Sequence, residues 1–203
     1  MEKILFVNAC VRPESRTLIL AKCLLACLGN DYTEVNVTDG NIKPLDFKAL
    51  NERAEKIRRA DFSDASFAPA RQFAEADTVV IAAPFWDLSF PSCMKIYLEN
   101  ILVSGLTFTY RSGRPEGLCR TKRLYYVTTA GGTVTPDFGF NYVKALAETF
   151  CGIPEVKCFR AEGLDIIGND ARHILQEAKE TIRYEMRSRR IGDVQKTRFQ
   201  DER

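Results

Sequence analysis

The sequence predicts an α/β domain built on a doubly wound, five-stranded parallel sheet of order 2-1-3-4-5, with helices on both faces. Two observations favour this class. Short apolar runs recur along the chain, as expected for strands that are buried on both faces of a parallel sheet. Amphipathic helical patterns separate these runs, and a helical crossover joins parallel strands in the right-handed sense. We expect residues 1–203 to form one domain, with a charged tail from about residue 183.

The first three predicted strands lie at residues 3–9, 33–37 and 77–83. A helix is predicted over residues 16–28, because leucines recur on one of its faces and Gly29 follows as a typical helix end. Residues 39–66 are irregular, with a charged helical stretch at 48–60, and a short helix is predicted over 69–76. Residues 39–66 are therefore expected to lie on the surface, between the second strand and the helix that precedes the third strand.

The last two predicted strands lie at residues 122–129 and 156–161. The helix after the third strand begins at Pro91, since proline is tolerated in a first helical turn, and it ends at Gly105. A short strand at 107–110 and a loop at 111–120 precede the fourth strand. The remaining helices are predicted at 138–150 and from Asn169 or Asp170, either of which is a good cap.

Composition excludes several classes of protein. The chain is 45% hydrophobic and 28% charged, which is ordinary for a globular domain. Its formal net charge of +2 creates no overall field that would attract nucleic acid or a membrane surface. No run approaches the roughly 18 apolar residues of a membrane span, and the amino terminus lacks the apolar core of a signal peptide. We expect neither nucleic acid nor membrane as a partner.

The cysteines argue against both a metal site and a disulfide scaffold. The chain has seven cysteines, an odd number, with no Cys-x-x-Cys pair and a single histidine, His173. Reduced thiols in a cytoplasmic protein are the simpler interpretation. His173 lies in the last helical pattern and is expected to be a surface or packing residue.

Three loops are expected to share the ligand-binding edge of the sheet. In doubly wound sheets, ligands bind beyond the carboxyl ends of the strands, where the strand order reverses. Order 2-1-3-4-5 places strands 1 and 3 at that point and strand 4 beside them. The loops that follow these strands, residues 9–17, 84–91 and 130–137, are called the rim loops below.

The first rim loop runs directly into a helix amino terminus. Free backbone N–H groups and the helix dipole favour an anion there. Ser15 and Thr17 add hydroxyl groups, while Arg12 and Arg16 add positive charge that suits a phosphate. The alternative is an ordinary helix cap with two solvated arginines.

The second rim loop is unusually apolar for a turn, with Phe85, Trp86, Leu88 and Phe90 in seven residues. These side chains either pack in the core or against a partner, or they form a wall for a planar ring. Backbone N–H groups of residues 86–88 would be free to bond the edge of such a ring. With the small residues at 128–132, the rim loops fit a ligand that carries a phosphate and a polar-edged ring, as flavin mononucleotide (FMN) does.

Several segments resemble one known family. Residues 84–92, 94–95, 105–110 and 115–118 closely resemble the FMN-dependent NADH-azoreductases and NAD(P)H:quinone oxidoreductases. Residues 128–132 are similar to the glycine loop of that family, and residues 161–164 to its segment before the last helix. The string at 84–92 is the most specific part, and the resemblance covers roughly residues 3–182.

The resemblance implies a flavodoxin-like homodimer that holds FMN non-covalently and takes a hydride from NADH or NADPH. A quinone or azo compound would then accept the hydride in a ping-pong cycle, with flavin N5 carrying the chemistry and no catalytic side chain. The implied cofactor contacts are Cys10, Arg12, Ser15, Arg16 and Thr17, then Pro84, Phe85, Trp86, Asp87 and Leu88, then Thr129, Ala130, Gly131 and Gly132. Phe90 and Tyr110 are implied as walls of the substrate site, with Tyr110 placed across the dimer.

Two features of the sequence depart from the family pattern. The family often has a Tyr-Asn pair where this chain has Trp86 and Asp87, and often an Arg where it has Ala130. An ionised Asp87 near the ring would disfavour an anionic reduced flavin. The alternatives to the reductase are a flavodoxin-type electron carrier and a non-enzymatic, FMN-binding regulatory module.

Overall fold

The computed structural model describes residues 2–29 and 31–201. Its strands, in chain order, are β1 Ile4–Asn8, β2 Thr33–Asn36, β3 Thr78–Ala82, β4 Phe108–Arg111, β5 Arg114–Gly117, β6 Arg123–Thr129 and β7 Glu155–Ala161. Its helices are α1 Arg16–Leu28, α2 Phe47–Arg58, α3 Ala68–Glu75, α4 Ser92–Ile101, α5 Phe140–Thr149 and α6 Ala171–Asp201.

Five strands form one parallel sheet in the order β2-β1-β3-β6-β7. Numbered among themselves, these strands have the order 2-1-3-4-5, so the predicted fold class and strand order are confirmed. The central strands β1 and β3 are buried along their whole length, whereas the edge strand β2 is largely exposed. The continuous apolar runs therefore lie where both faces of the sheet are covered.

Two hydrophobic cores cover the two faces of the sheet. Side chains alternate along β3, so that Val79 and Ile81 pack on one face while Val80 packs on the other. Helices α3, α4 and α5 cover the first face, and α1 and α6 cover the second. Leu24 of α1 and Ile182 of α6 are fully buried in the second core.

The sequence predicted a loop over residues 111–120, but these residues do not form a simple loop. β4 and β5 pair antiparallel as a separate hairpin. Ser112 and Gly113 form its two-residue turn with φ values of 52° and 77°. Two consecutive positive φ values are the geometry of the tight turns that match strand twist. The glycine that suggested a loop is thus part of a hairpin turn.

The helix boundaries differ from the prediction at two ends. Helix α4 ends at Ile101 rather than at Gly105, which lies beyond it with a positive φ. Helix α6 continues past Arg183, so the charged stretch that was predicted as a tail from that residue begins as part of this helix. Met186 is 5% exposed, and Arg189 bonds Glu155 of β7 at 2.9 Å. The charged composition of this stretch concealed an apolar face that repeats every four residues.

The described residues include no helix that is both long and apolar enough to cross a bilayer. Over the same residues, no group of three or more His, Cys, Asp or Glu side chains is placed to hold a metal ion.

Candidate functional site

The rim loops leave one edge of the sheet, as expected from the strand order. Backbone bonds continue the ladder just beyond the strands, from the Ala9 N–H to the Ala82 carbonyl at 2.8 Å and from the Ala83 N–H to the Val127 carbonyl at 3.0 Å. The Phe85 N–H then bonds the Thr129 carbonyl at 3.1 Å. These bonds fix the starting points of all three loops beside one another.

The first turn of α1, at the end of the first rim loop, leaves two backbone donors free. Ser15 caps α1, since its hydroxyl accepts from the Leu18 N–H at 3.4 Å and its carbonyl accepts from the Ile19 N–H at 3.1 Å. Among the described residues, the N–H groups of Arg16 and Thr17 have no acceptor. This is the arrangement that makes a helix amino terminus suitable for an anion.

Two side chains of the first rim loop are buried in the structure. Thr17 is fully buried, and its hydroxyl lies 2.6 Å from that of Thr129, so this pair ties the first rim loop to the end of β6. Cys10 is also buried, with its thiol 3.7 Å from the Ala82 carbonyl. Burial raises the pKa of the Cys10 thiol to about 11, which keeps it neutral beside an anion.

Arg16 is held by a carboxylate that the sequence analysis did not identify. Its guanidinium makes two parallel bonds to Asp165, at 2.7 and 2.9 Å. This pairing holds the pKa of the Asp165 carboxyl below its usual range. The Asp165 N–H also bonds the Gly131 carbonyl at 2.8 Å. Asp165 directly follows the segment 161–164 that the resemblance singled out, which was the available signal. Arg12, by contrast, is exposed.

Gly131 is required by this arrangement. A Cβ atom built on Gly131 would lie 2.3 Å from an Asp165 carboxylate oxygen, whereas one on Gly132 would meet nothing within 4 Å. Ala130 is buried, and its N–H bonds the Ala161 carbonyl at 3.0 Å. The third rim loop is thus fixed on the side of β7 and open at Gly132.

The second rim loop contains a tight turn. Trp86 and Ser89 exchange two backbone bonds of 3.0 and 2.8 Å around Asp87 and Leu88, whose φ values are 49° and 66°. Asp is common at such positions, but a bulky residue such as Leu is rarely found there. Backbone strain of this kind is concentrated at functional sites.

The turn leaves fewer free donors than expected for residues 86–88. The Trp86 N–H is used within the turn, so among the described residues only the N–H groups of Asp87 and Leu88 in this loop segment lack an acceptor. Trp86 and Leu88 are 38% and 43% exposed, while Pro84, Phe85 and Phe90 are half-buried. Phe85 and Phe90 are thus partly covered by the protein, whereas Trp86 and Leu88 leave apolar surface exposed.

A groove of about 490 Å³ adjoins this turn. Its lining includes Val11, Thr38, Trp86, Asp87 and Phe90. The groove is open enough for a flat ligand and lies within the size range of small-molecule sites.

Tyr110 is not brought to the rim of its own chain. It is 60% exposed on the hairpin, where it packs edge-on against Phe108. Phe108 in turn contacts Phe150, just beyond the last residue of α5. Helix α5 begins on the rim side and spans ten residues, or about 15 Å, so the hairpin lies toward the opposite end of the sheet.

Comparisons with known proteins agree with this geometry. A family model described as the flavodoxin-like fold matches residues 2–185. The chain is 32% identical over 192 residues to FMN-dependent NADH:quinone oxidoreductase 2 of Clostridium acetobutylicum, covering 89% of this chain and 96% of that protein. It is 33% identical over 196 residues to an FMN-dependent NADH:quinone oxidoreductase of Clostridium beijerinckii, covering 88% and 94%.

Two solved structures share the fold. An azoreductase from Bacillus anthracis superposes with a TM-score of 0.82 at 22% identity, covering 92% of this chain and 99% of that one. An FMN-dependent NADH-azoreductase from Bacillus anthracis, solved in complex with FMN, gives a TM-score of 0.77 at 24% identity, covering 93% and 99%.

Proposed function

Because the chain belongs to the FMN-dependent NADH:quinone oxidoreductase family, with its flavodoxin-like fold, we propose that it binds FMN at the rim loops and reduces quinones or azo compounds. One observation carries the proposal. Free backbone donors occur at two places on one rim, Arg16 and Thr17 at a helix amino terminus and Asp87 and Leu88 in a strained apolar turn. The first pair suits a phosphate and the second suits the polar edge of a ring.

The phosphate would lie at the start of α1. The free N–H groups of Arg16 and Thr17 and the helix dipole would bind it, with Ser15 holding the cap and Arg12 adding charge. The neutral Cys10 thiol imposes no repulsion. Asp165 already engages Arg16, so the phosphate would share this guanidinium with a carboxylate rather than meet a free cation.

The ring would lie against the second and third rim loops. Pro84, Phe85 and Trp86 offer apolar surface, and the Asp87 and Leu88 N–H groups would bond the polar edge. The chain from Thr129 to Gly132 would bound the other edge, where the open space at Gly132 admits a close approach. Among the described residues, the Asp87 and Leu88 N–H groups used here have no other acceptor.

Bound FMN supplies the hydride chemistry, while the protein binds and orients the reactants. NADH or NADPH and the acceptor would use the same exposed apolar surface in turn, with Phe90 and Trp86 as walls and the groove beside them as room for the acceptor. One shared space predicts ping-pong kinetics. We also propose a cytoplasmic homodimer, in which the exposed Tyr110 reaches a substrate only from the partner subunit.

The test uses the purified protein with added FMN under anaerobic conditions. We expect tight uptake of flavin, loss of its visible absorption when NADH is added, and recovery when a quinone is added. Initial rates at several quinone concentrations should give parallel double-reciprocal lines. Protein that does not take up FMN would contradict the whole proposal, and intersecting lines would contradict the ping-pong step. Flavin that dithionite reduces but neither NADH nor NADPH reduces would favour the electron carrier.

A further inference from the structure

The outer seam between α1 and α6 contains a groove of about 570 Å³, away from the rim loops. We propose that this α1–α6 groove binds a soluble amphipathic anion, a small organic molecule with an apolar body and at least two negative charges. The volume is that of a small-molecule site. The inference does not depend on the proposed reductase function, since none of the residues that line the groove lies in the rim loops. The two regions share only helix α1.

Four cations line the groove without a neutralising group. They are Lys22 of α1 and Lys179, Arg183 and Arg187 of α6. Among the described residues, no carboxylate lines the groove and none of the four cations forms an ion pair. A groove with charges of one sign concentrates its field and attracts the opposite charge.

Several other charged side chains of α6 are paired, whereas Arg172 forms no ion pair among the described residues. His173 contacts Glu177 at 3.2 Å, Lys157 of β7 pairs with Glu185, and Arg189 pairs with Glu155 at 2.9 Å. Arg172 is exposed outside the groove, whereas the four groove cations lie together over an apolar floor. This clustering is what separates a candidate anion site from an ordinary solvated surface.

The spacing of the α6 cations is unfavourable for the helix alone. Lys179, Arg183 and Arg187 are four residues apart in succession, which places them one above another on one face. Like charges at this spacing repel each other and destabilise a helix. Lys22 faces them from α1 and adds to the repulsion. A bound anion with two or more charges would relieve it.

The floor of the groove is apolar and polarisable. Ile19 is 45% exposed, Met186 closes the bottom, and the thiols of Cys23 and Cys27 are half-buried between the helices. The Cys23 sulfur lies 3.9 Å from the Lys179 carbonyl, at the seam itself. An inorganic anion would leave this floor in water, whereas an apolar body would bury it. The groove is concave, so it fits a small molecule better than a flat lipid surface.

The test uses the flavin-loaded full chain and 1,5-naphthalenedisulfonate as the probe, which has an apolar body and two charges. We expect one probe to bind per chain by calorimetry, at least about tenfold more tightly than inorganic phosphate because the floor is also covered. Binding should weaken as salt is added. Bound probe should also slow the labelling of Cys23 by N-ethylmaleimide in the full chain. The extent of labelling is then measured on the peptide that contains Cys23.

Charge-reversed variants locate the site. Arg183→Glu and, independently, Lys22→Glu should weaken probe binding by about tenfold or more, because each reverses a charge at the groove. Arg172→Glu is the matched control, since it reverses an exposed charge on α6 outside the groove. Flavin content and NADH oxidation, measured on the same samples, report on the rim loops separately.

Three outcomes would overturn the proposal. They are the absence of probe binding, equal binding by Arg183→Glu and Arg172→Glu, and binding of anionic phospholipid vesicles without binding of the soluble probe. The last result would assign the cations to a membrane surface instead.

Discussion

Helix α1 presents cations in two regions, and the cation is paired with a carboxylate in only one of them. At the rim, Arg16 is matched by Asp165 through two parallel bonds. In the α1–α6 groove, Lys22 faces three further cations, and no described carboxylate lines the site. Both regions belong to one helix, and a formal net charge of +2 for the whole chain reveals neither.

The difference teaches that the ion pairs at the rim connect loops to other segments. Arg16 and Asp165 join the first rim loop to the segment after β7, and Arg160 bonds Asp137 at 2.9 Å to join β7 to the third rim loop. These pairs are partly exposed and contribute little stability by themselves. They fix where the loops lie. The described residues of the groove form no such pairs, which leaves its charges for a ligand.

The largest expected effect comes from crowding the ion pair between Arg16 and Asp165. Gly131→Ala places a Cβ atom against Asp165 and should lower the free energy of unfolding by about 2 kcal/mol, as overpacking of a fixed contact does. Gly132→Ala is the control, with open space at its Cβ and an expected change below about 0.5 kcal/mol. Urea unfolding measures both. Equal losses would show that the contact with Asp165 does not fix the loop.

The next effect concerns the thiols of the two regions. Burial raises the pKa of Cys10 to about 11, so above the unfolded value near 8.5 to 9 the unfolded thiol loses its proton first. The stability that Cys10 contributes is present below that value and is lost as the pH rises toward 11. From pH 8 to pH 10 this loss amounts to about 1.3 kcal/mol.

Urea unfolding of two alanine variants isolates that term. Cys10→Ala should show a shallower loss of stability between pH 8 and pH 10 than the parent chain. Cys23→Ala removes a half-buried thiol of the groove and serves as the control. An identical pH dependence in Cys10→Ala and the parent would contradict the burial effect.

Asp87 is a carboxylate of the second rim loop that has no ion pair among the described residues. Asp87→Asn keeps a side chain that suits a positive φ and removes the charge. If the carboxylate faces the flavin, the midpoint potential should rise by roughly 20 mV, because the reduced anionic ring is no longer repelled. Potentiometric titration of the flavin measures the change. An unchanged potential would mean that the carboxylate is directed away from the ring.

The smallest expected effect comes from leaving Arg16 without a charged partner, as the cations of the groove are. Asp165→Asn removes the charge that competes for Arg16 and should tighten FMN binding about threefold at low salt, with the gain vanishing at high salt. Quenching of flavin fluorescence measures the dissociation constant. Weaker binding would show instead that Asp165 orients Arg16 for the phosphate.

Much of the fold was predictable because it depends on local patterns. The apolar runs of β1 and β3 and the face of α1 gave their elements and the strand order that follows from crossovers. The hairpin and the extension of α6 were missed for local reasons too. Ser112 and Gly113 suggest a loop as readily as a turn, and the apolar residues Ile182 and Met186 are few among charges.

The site was predictable as a set of loops and not as a set of contacts. The aromatic turn and the helix start are each a contiguous segment of the sequence, so the composition of each could be read directly. The pairing of Arg16 with Asp165 spans 149 residues, and the use of the Trp86 N–H depends on the backbone angles of Asp87 and Leu88. Neither leaves a pattern in the local sequence.

The sequence by itself determined the fold class, the strand order and the three rim loops, because hydrophobic periodicity and turn residues act over a few neighbouring positions. Only the tertiary structure decided which charges are matched. It brought Asp165 to Arg16 and left Lys22 beside Lys179, Arg183 and Arg187, because two helices far apart in the chain lie side by side on one face of the sheet. Charge pairing depends on distances in space, and those distances are set by packing.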